Sequence, residues 1–416
     1  MMKFTTWAML ATQVAALGKT KRQRPLTFSK DGTFQIAIFE DLHYGEAPGT
    51  FGPTQDAHTS KVVSKILEEE DVDFVVINGD SVSRDNLMLN STGYMNHALA
   101  PFVKNKLDWA ITFGNHESNK NRRVEDVFAV EQKYPNSRSK SMISGQDAGI
   151  TNYYLPVYPA DCRSGCGCKP ELLIWFFDSR GGFNYNQTDA KGNQVHRQTW
   201  VHAEVVDWFV TERNRLARQS STTIPSIAFV HIPVDAFYAV QQGPAGIDPN
   251  RHPGLNNAFE RSQGAGFCSD GVRNGTCAWG GQDVPFMQAL VDTPGLLGVF
   301  SGHHHANSWC YKWTAEGLPD YPVQPGPDGL NLCYGQRSGF GGAGDPIRGA
   351  RQLLLRKDKI ANGEMDTWIR LETGEVVGDV SLNATYGEDR YPEVKYRESF
   401  CQECFKWADY KPTVPR

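Results

Sequence analysis

An α/β fold is predicted for this 416-residue chain by three features. Short apolar, β-rich runs alternate with helical stretches from Phe34 onward; polar or glycine-rich clusters follow directly on those runs; and no internal repeat or low-complexity tract breaks the alternation. Phe34 to Phe39 reads as a strand, the region after Gln55 through Glu70 as a helix, and Phe74 to Ile77 as the next strand. Asp108 to Phe113 repeats the pattern, and Leu172 to Phe177 and Ser226 to Val230 are further strands. Between those two lies a helix whose Val201, Val205, Trp208 and Phe209 recur at helical spacing and therefore face a core. Gln241 to Gly281 carries prolines, glycines and the pair Cys268/Cys277 with little periodicity, which predicts a long loop of the kind that shapes substrate access. Pro319 to Gly329 is a second such loop, and Arg351 to Leu355 and Thr367 to Leu371 are late strands.

With 40% apolar residues the chain can bury a large core, and length alone suggests two or three domains. A net charge of -5 lacks the basic excess of a nucleic-acid binder, so no nucleic-acid partner is expected. The opening residues, MMKFTTWAMLATQVAALG, place Lys3 before a mainly apolar stretch ending in small residues, the pattern of a secretory signal over residues 1–18. That stretch is too short to span a bilayer, and no later segment reads as transmembrane. Asn90, Asn186, Asn274 and Asn383 each begin an N-x-[ST] sequon and are expected to carry N-glycans. Nine cysteines cluster as Cys162/Cys166/Cys168, Cys268/Cys277, Cys310/Cys333 and Cys401/Cys404, which suits local disulfides in an exported protein, secreted or vacuolar. An odd count leaves one thiol over. Cys401-x-x-Cys404 is also half of a metal knuckle whose other half is missing, unless Cys162 to Cys168 supplies it in space; disulfides are the expectation for an exported chain.

Five clusters of metal-ligand residue types each follow a predicted strand: Asp41-Leu42-His43, Gly79-Asp80, Gly114-Asn115-His116-Glu117, His231-Ile232-Pro233 and Gly302-His303-His304-His305. Loops at strand ends are where α/β folds build sites. Singly, Asp41 could cap a helix, Gly79-Asp80 could make a turn and His231 could be a core histidine; in order and together they point to a metal centre.

The order D-x-H, G-D, G-N-H-E, H, G-H-x-H resembles the signature of the calcineurin-like metallophosphoesterase superfamily, from Phe34 to about His305. Tyr334 to Gly342 and Thr367 to Arg370 look like its fungal-type secreted branch. The resemblance implies the metallo-dependent phosphatase fold, a four-layer α-β-β-α sandwich of two mixed β-sheets flanked by helices. Ligands from both halves then meet at one site, so residues 19–416 are expected to form one domain, with a core of about 33–372 and a C-terminal extension, 373–416. It further implies two divalent or trivalent metal ions (Fe, Zn or Mn), one held by Asp41, His43 and His305, the other by Asn115, His231 and His303, with Asp80 bridging them. A hydroxide activated between the metals would attack a small-molecule phosphate ester in line, a phosphomonoester in preference. A phosphodiesterase acting on nucleotide or lipid diesters is the alternative, and a catalytically silent metal-binding or recognition protein the alternative of another class. His116 would be the catalytic non-ligand, oriented by Glu117, with His304 pointing away. Arg84, Asp85, Asn86 and Arg337 are candidates to contact phosphate. Purple acid phosphatases place a tyrosine three residues after the bridging aspartate; Ser83 stands there in this chain, so no tyrosinate-to-iron colour is expected.

Overall fold

The computed structural model describes residues 23–399, except 48, 84–90, 144, 146, 166, 221, 245, 315, 316 and 327, together with Cys401 and Cys404. The expected signal peptide, the sequon at Asn90, Arg84, Asp85, Asn86 and Cys166 lie outside the described residues.

Two large sheets form the centre. In the six-stranded sheet β2 (Thr33–Phe39), β3 (Phe74–Asn78) and β4 (Trp109–Thr112) run parallel, and β13 (Gly349–Arg356), β14 (Met365–Leu371) and β15 (Val376–Leu382) extend it antiparallel from β2. In the seven-stranded sheet β6 (Leu172–Phe177), β9 (Ser226–Val230), β10 (Leu296–Ser301) and β12 (Leu330–Tyr334) run parallel. There β1 (Leu26–Thr27) and β5 (Tyr153–Tyr158) lie on one side and β11 (Cys310–Trp313) on the other.

Alternation along the strands decides how these sheets stack. Ile36 and Ile38 of β2 face inward with Ile174 and Phe176 of β6 and Phe229 of β9, forming the layer between the sheets. Their neighbours Ala37 and Phe39 face outward to α1 (Gly52–Glu69), α2 (Ser91–Lys104) and α3 (Val124–Glu131), which bury Val63, Ile66, Leu99, Phe102 and Val127. On the opposite flank Trp175, Phe177 and Val230 meet Val205 and Phe209 of α4 (Ala203–Gln219), Phe237 of α5 (Ala236–Gln242) and Phe286 of α6 (Val284–Val291). Because both faces of each sheet are covered, the central strands are continuous apolar runs, and the result is the expected α-β-β-α sandwich. Truncating an aromatic such as Phe209 in these layers costs about 3–5 kcal/mol.

The strands named from sequence lie within a residue or two of the observed ones. α1 begins at Gly52, ahead of the expected start, because Pro53 in its first turn presets the helical φ. Val201, expected on a helix, is buried just before α4 begins. Among the described residues no helix or strand occurs between Gly243 and Asp283, as expected for the long loop, which closes on itself through Cys268–Cys277. The other disulfides join Cys162 to Cys168, Cys310 to Cys333 across β11 and β12, and Cys401 to Cys404. A two-stranded hairpin of β7 (Phe183–Thr188) and β8 (Gln194–His196) stands apart from both sheets, and α7 (Lys357–Ile360) is a single turn after β13.

Candidate metal centre

Every candidate ligand lies just past the C-terminal end of a parallel strand. Asp41 and His43 follow β2, Asp80 follows β3, Asn115 follows β4, His231 follows β9, and His303 and His305 follow β10. Both sheets end at the same edge of the sandwich, so loops far apart in sequence converge there. The backbone must turn sharply to aim these side chains inward: Asp41 (φ 52°), His43 (φ 49°), Asp80 (φ 50°) and His303 (φ 71°) all adopt the left-handed conformation. In a non-glycine residue that costs on the order of 1 kcal/mol or more, and such strain gathers at functional sites. Here it is held by hydrogen bonds from Asp41 N to Gly79 O (3.2 Å), His43 N to Asp80 O (2.9 Å) and Gly302 N to His231 O (3.0 Å).

The side chains then meet. His43 Nε2 lies 3.2 Å from His305 Nε2, and His305 Nε2 lies 3.3 Å from Asp41 Oδ1. His231 Nε2 lies 3.1 Å from Asp80 Oδ2 and 3.8 Å from Asp41 Oδ1, and His43 Nε2 is 3.8 Å from Asp80 Oδ2. Three overlapping groups emerge, Asp41/His43/His305, His43/Asp80/His116 and Asp80/His231/His303, each with its donor atoms within 4.8 Å of one another. Gly114 makes room for them, since a Cβ there would sit 2.3 Å from Asp80 Oδ1 and 2.5 Å from His231 Cδ2.

The protonation pattern tests whether cations fit. His231 Nδ1 donates to Asn78 O at 2.7 Å and His305 Nδ1 to Ala343 O at 2.7 Å, so in each neutral ring Nε2 presents a lone pair to a carboxylate oxygen. That backbone anchoring of the far nitrogen is how ligating histidines are fixed. Asp41 Oδ1, Asn115 Oδ1 and His231 Nε2 are buried and make no hydrogen bond. Lone pairs facing lone pairs in a buried site require positive charge between them, and this oxygen-nitrogen donor set suits borderline cations such as zinc, iron and manganese.

The electrostatics agree. Burial pushes the Asp80 carboxyl up, but His231, His116 and His43 outweigh it and hold the group below the usual carboxylate range. Asp41 behaves likewise, burial being overcome chiefly by His305. Burial lowers His231, yet Asp80 and Asp41 drive it up to about 10, whereas burial and neighbouring cationic groups take His303 and His305 down to about 4. The field that would hold a proton on His231 Nε2 is the field that would hold a cation.

His116 sits at the mouth. Its amide donates to Asp80 Oδ1 at 2.8 Å, its ring meets the edge of His43 at 4.5 Å, and its side chain is 22% exposed with Nε2 3.9 Å from Asp80 Oδ2. Glu117 differs from expectation: its carboxylate accepts the amides of Ser81 (2.6 Å), Gly114 (2.8 Å) and Asp80 (3.1 Å), so it clamps the two loops that carry Asp80 and Asn115. His304 does turn away, its ring bonded to Ser262 Oγ and Tyr334 OH, each at 2.8 Å. Arg337 is 1% exposed and its guanidinium is bound by the carbonyls of Gly339, Gly341, Ala343 and Gly344; it braces the glycine-rich loop beneath His305 rather than reaching a substrate. Asn78 was missed from the sequence, although a polar residue closing the apolar run Phe-Val-Val-Ile marks it; its carbonyl orients His231 and its Nδ2 reaches Glu40 Oε2 at 3.3 Å.

Residues 34–307 match the family model described as calcineurin-like phosphoesterase. Among curated proteins, "Probable inactive purple acid phosphatase 14" of Arabidopsis thaliana is 24% identical over 371 residues, covering 84% of this chain and 81% of that protein. "Phosphatase DCR2" of Saccharomyces cerevisiae is 22% identical over 382 residues, covering 88% of this chain and 58% of that protein. Among solved structures, a dimetal phosphatase from Danio rerio aligns with a TM-score of 0.48 at 12% identity, over 84% of this chain and 98% of that one.

Proposed function

The chain belongs to the calcineurin-like phosphoesterase family, and from that premise we propose that this phosphoesterase acts through a dinuclear metal centre, with phosphomonoesters its preferred substrates. Asp41, His43 and His305 are assigned to one metal, Asn115, His231 and His303 to the other, and Asp80 to both. The observation that carries this reading is the convergence of Asp41, His43, Asp80, His231, His303 and His305 from two sheets, with buried donor atoms on Asp41, on His231 and on Asn115 just past β4 that make no hydrogen bond. When bound, the metal pair supplies positive charge to the phosphoryl oxygens and lowers the pKa of a water for in-line attack. The protein's own groups do the rest. Glu117 fixes the loops that present Asp80 and Asn115, the carbonyls of Asn78 and Ala343 set the tautomers of His231 and His305, and His116 Nε2, at the open mouth, donates a proton to the leaving oxygen. Hydrolysis of p-nitrophenyl phosphate faster than of bis-p-nitrophenyl phosphate is expected; the reverse order assigns a phosphodiesterase.

The names of three Arabidopsis relatives as "probable inactive" enzymes favour a second reading, a catalytically silent protein that keeps the fold for metal or ligand recognition. Metal binding without turnover of either ester would establish it. For location we propose the secretory pathway, with residues 1–18 as a cleaved signal and 19–416 as one domain. Four disulfides support this, as do the sequons at Asn274 and Asn383, where Thr276 and Thr385 hydroxyls bond the asparagine Oδ1 at 2.9 and 3.1 Å.

A further inference from the structure

The Cys401-x-x-Cys404 pair plays no part in the phosphoesterase site, and the fold supplies what its sequence lacked. The pair lies against the first turns of α1, where Gln55 Nε2 donates to the Cys404 carbonyl at 2.9 Å. One helical turn further, a ring nitrogen of His58 and both sulfurs all come within 4.8 Å of one another. The two cysteines are 4% and 0% exposed and form a disulfide within the apolar cluster that contains Phe340, while His58 is half-buried with its ring 5.5 Å from that of Phe340.

We propose that His58, Cys401 and Cys404 form a second, redox-convertible metal site, which in its dithiol state binds one zinc-like cation. A dithiol reductant opens the site: its two thiols pass two electrons and two protons to the Cys401–Cys404 bond, which breaks to two thiols while the reductant closes to a disulfide. Cation binding then releases the two thiol protons and joins two thiolates and an imidazole to the metal. Two thiolates with one imidazole are a known zinc ligand set, leaving a fourth position for water on the half-buried His58 side. Two thiolate charges also cancel a divalent cation's charge, so the assembled site is neutral, as an apolar surrounding demands. Of the four disulfides this one closes the smallest ring, with a sequence separation of 3 against 6, 9 and 23. It therefore restricts the unfolded chain least and has the least entropic protection against reduction.

Cobalt(II) reads this site by its sulfur donors once the phosphoesterase centre, whose donors are only nitrogen and oxygen, has been loaded with zinc. The full-length protein, reduced with stoichiometric dithiothreitol, freed of reductant anaerobically and titrated with cobalt(II), is expected to develop a sulfur-to-cobalt charge-transfer band in the near ultraviolet that saturates at one equivalent. Oxidised protein is expected to show none. The double variant Cys401→Ser/Cys404→Ser should lose the band, and His58→Gln should weaken binding about tenfold or more. No band in the reduced wild-type protein overturns the site, as does a band that survives in the double variant. Because the wild-type protein is compared with itself in two redox states, the result stands even if a variant folds poorly.

Discussion

Glu117→Gln separates two roles for a residue that touches the loops rather than the reacting atoms. In the native protein Glu117 Oε2 accepts the amides of Asp80 and Gly114 and Oε1 accepts that of Ser81. Burial and then Asp80 push its carboxyl up, but the amides and His231 favour the anion. A glutamine of the same shape can offer only one oxygen. In its better orientation the new amide group faces Ser81 N, leaving one buried N–H opposed, a cost of about 1–3 kcal/mol. With an unfolding entropy of about 2 cal/mol/K per residue, near 0.8 kcal/mol/K for a chain of this length, that corresponds to a melting temperature about 1–4 °C lower. The Asp80 and Asn115 loops should also loosen, weakening metal binding by about tenfold or more. Thermal melts by circular dichroism and metal content by mass spectrometry after dialysis are the assays. If melting and metal retention match wild type while turnover alone falls, the loop clamp is wrong and Glu117 acts on His116.

Other consequences follow from the same geometry. His116→Ala should reduce turnover of p-nitrophenyl phosphate by about a hundredfold or more with metal content unchanged; parallel loss of metal would make His116 a ligand instead. Gly114→Ala drives a methyl group into Asp80 and His231, so the purified variant should fold yet lose bound metal; retention of full metal content would show that the loop yields. His252 offers a pH test away from the metal centre. Its Nδ1 accepts the Asp248 amide at 3.2 Å, and burial takes it down to about 4, so the folded state prefers the neutral ring while the unfolded chain binds a proton near 6.5. Its contribution to stability is therefore present above pH 6.5 and is lost as pH falls toward 4, by about 3 kcal/mol at most. Denaturant melts of His252→Gln should show a shallower loss over that window than wild type, and parallel pH profiles would refute it. Metal-loaded protein should also lack a purple absorbance band, because Ser83 occupies the position where a tyrosinate would be.

Legibility in the sequence followed chemistry. The runs Phe34 to Phe39, Leu172 to Phe177 and Ser226 to Val230 were readable because strands buried on both faces are apolar throughout, and β6 and β9 lie where those runs predict. β10 was implied by the cluster that follows it but received no range of its own: its Leu-Leu-Gly-Val-Phe-Ser has no alternation and holds a glycine. α2 was hidden by Pro101 inside it, and β5 by Pro156. At the site, the joint order of the clusters announced the ligand candidates, since each Asp, His or Asn taken singly could equally make a cap, a turn or a core contact. What the sequence could not reveal was tertiary. Glu117 sits next to His116 in the chain but its carboxylate points to the loop of Asp80, and Arg337 spends its donors on carbonyls within its own glycine loop. Nor does any local pattern connect His58 with Cys401 and Cys404, which only the packing of the C-terminal segment on α1 brings together.

The most direct test of the dinuclear centre is metal stoichiometry measured together with turnover on one preparation before and after chelation. Purified full-length protein, oxidised at Cys401–Cys404, should hold two equivalents of iron, zinc or manganese. It should lose both the metal and p-nitrophenyl phosphate hydrolysis on chelation and regain both on adding metal back, whereas Asp80→Ala should hold neither metal nor activity. Turnover that persists in metal-free protein, or full metal content and activity in Asp80→Ala, would contradict the account.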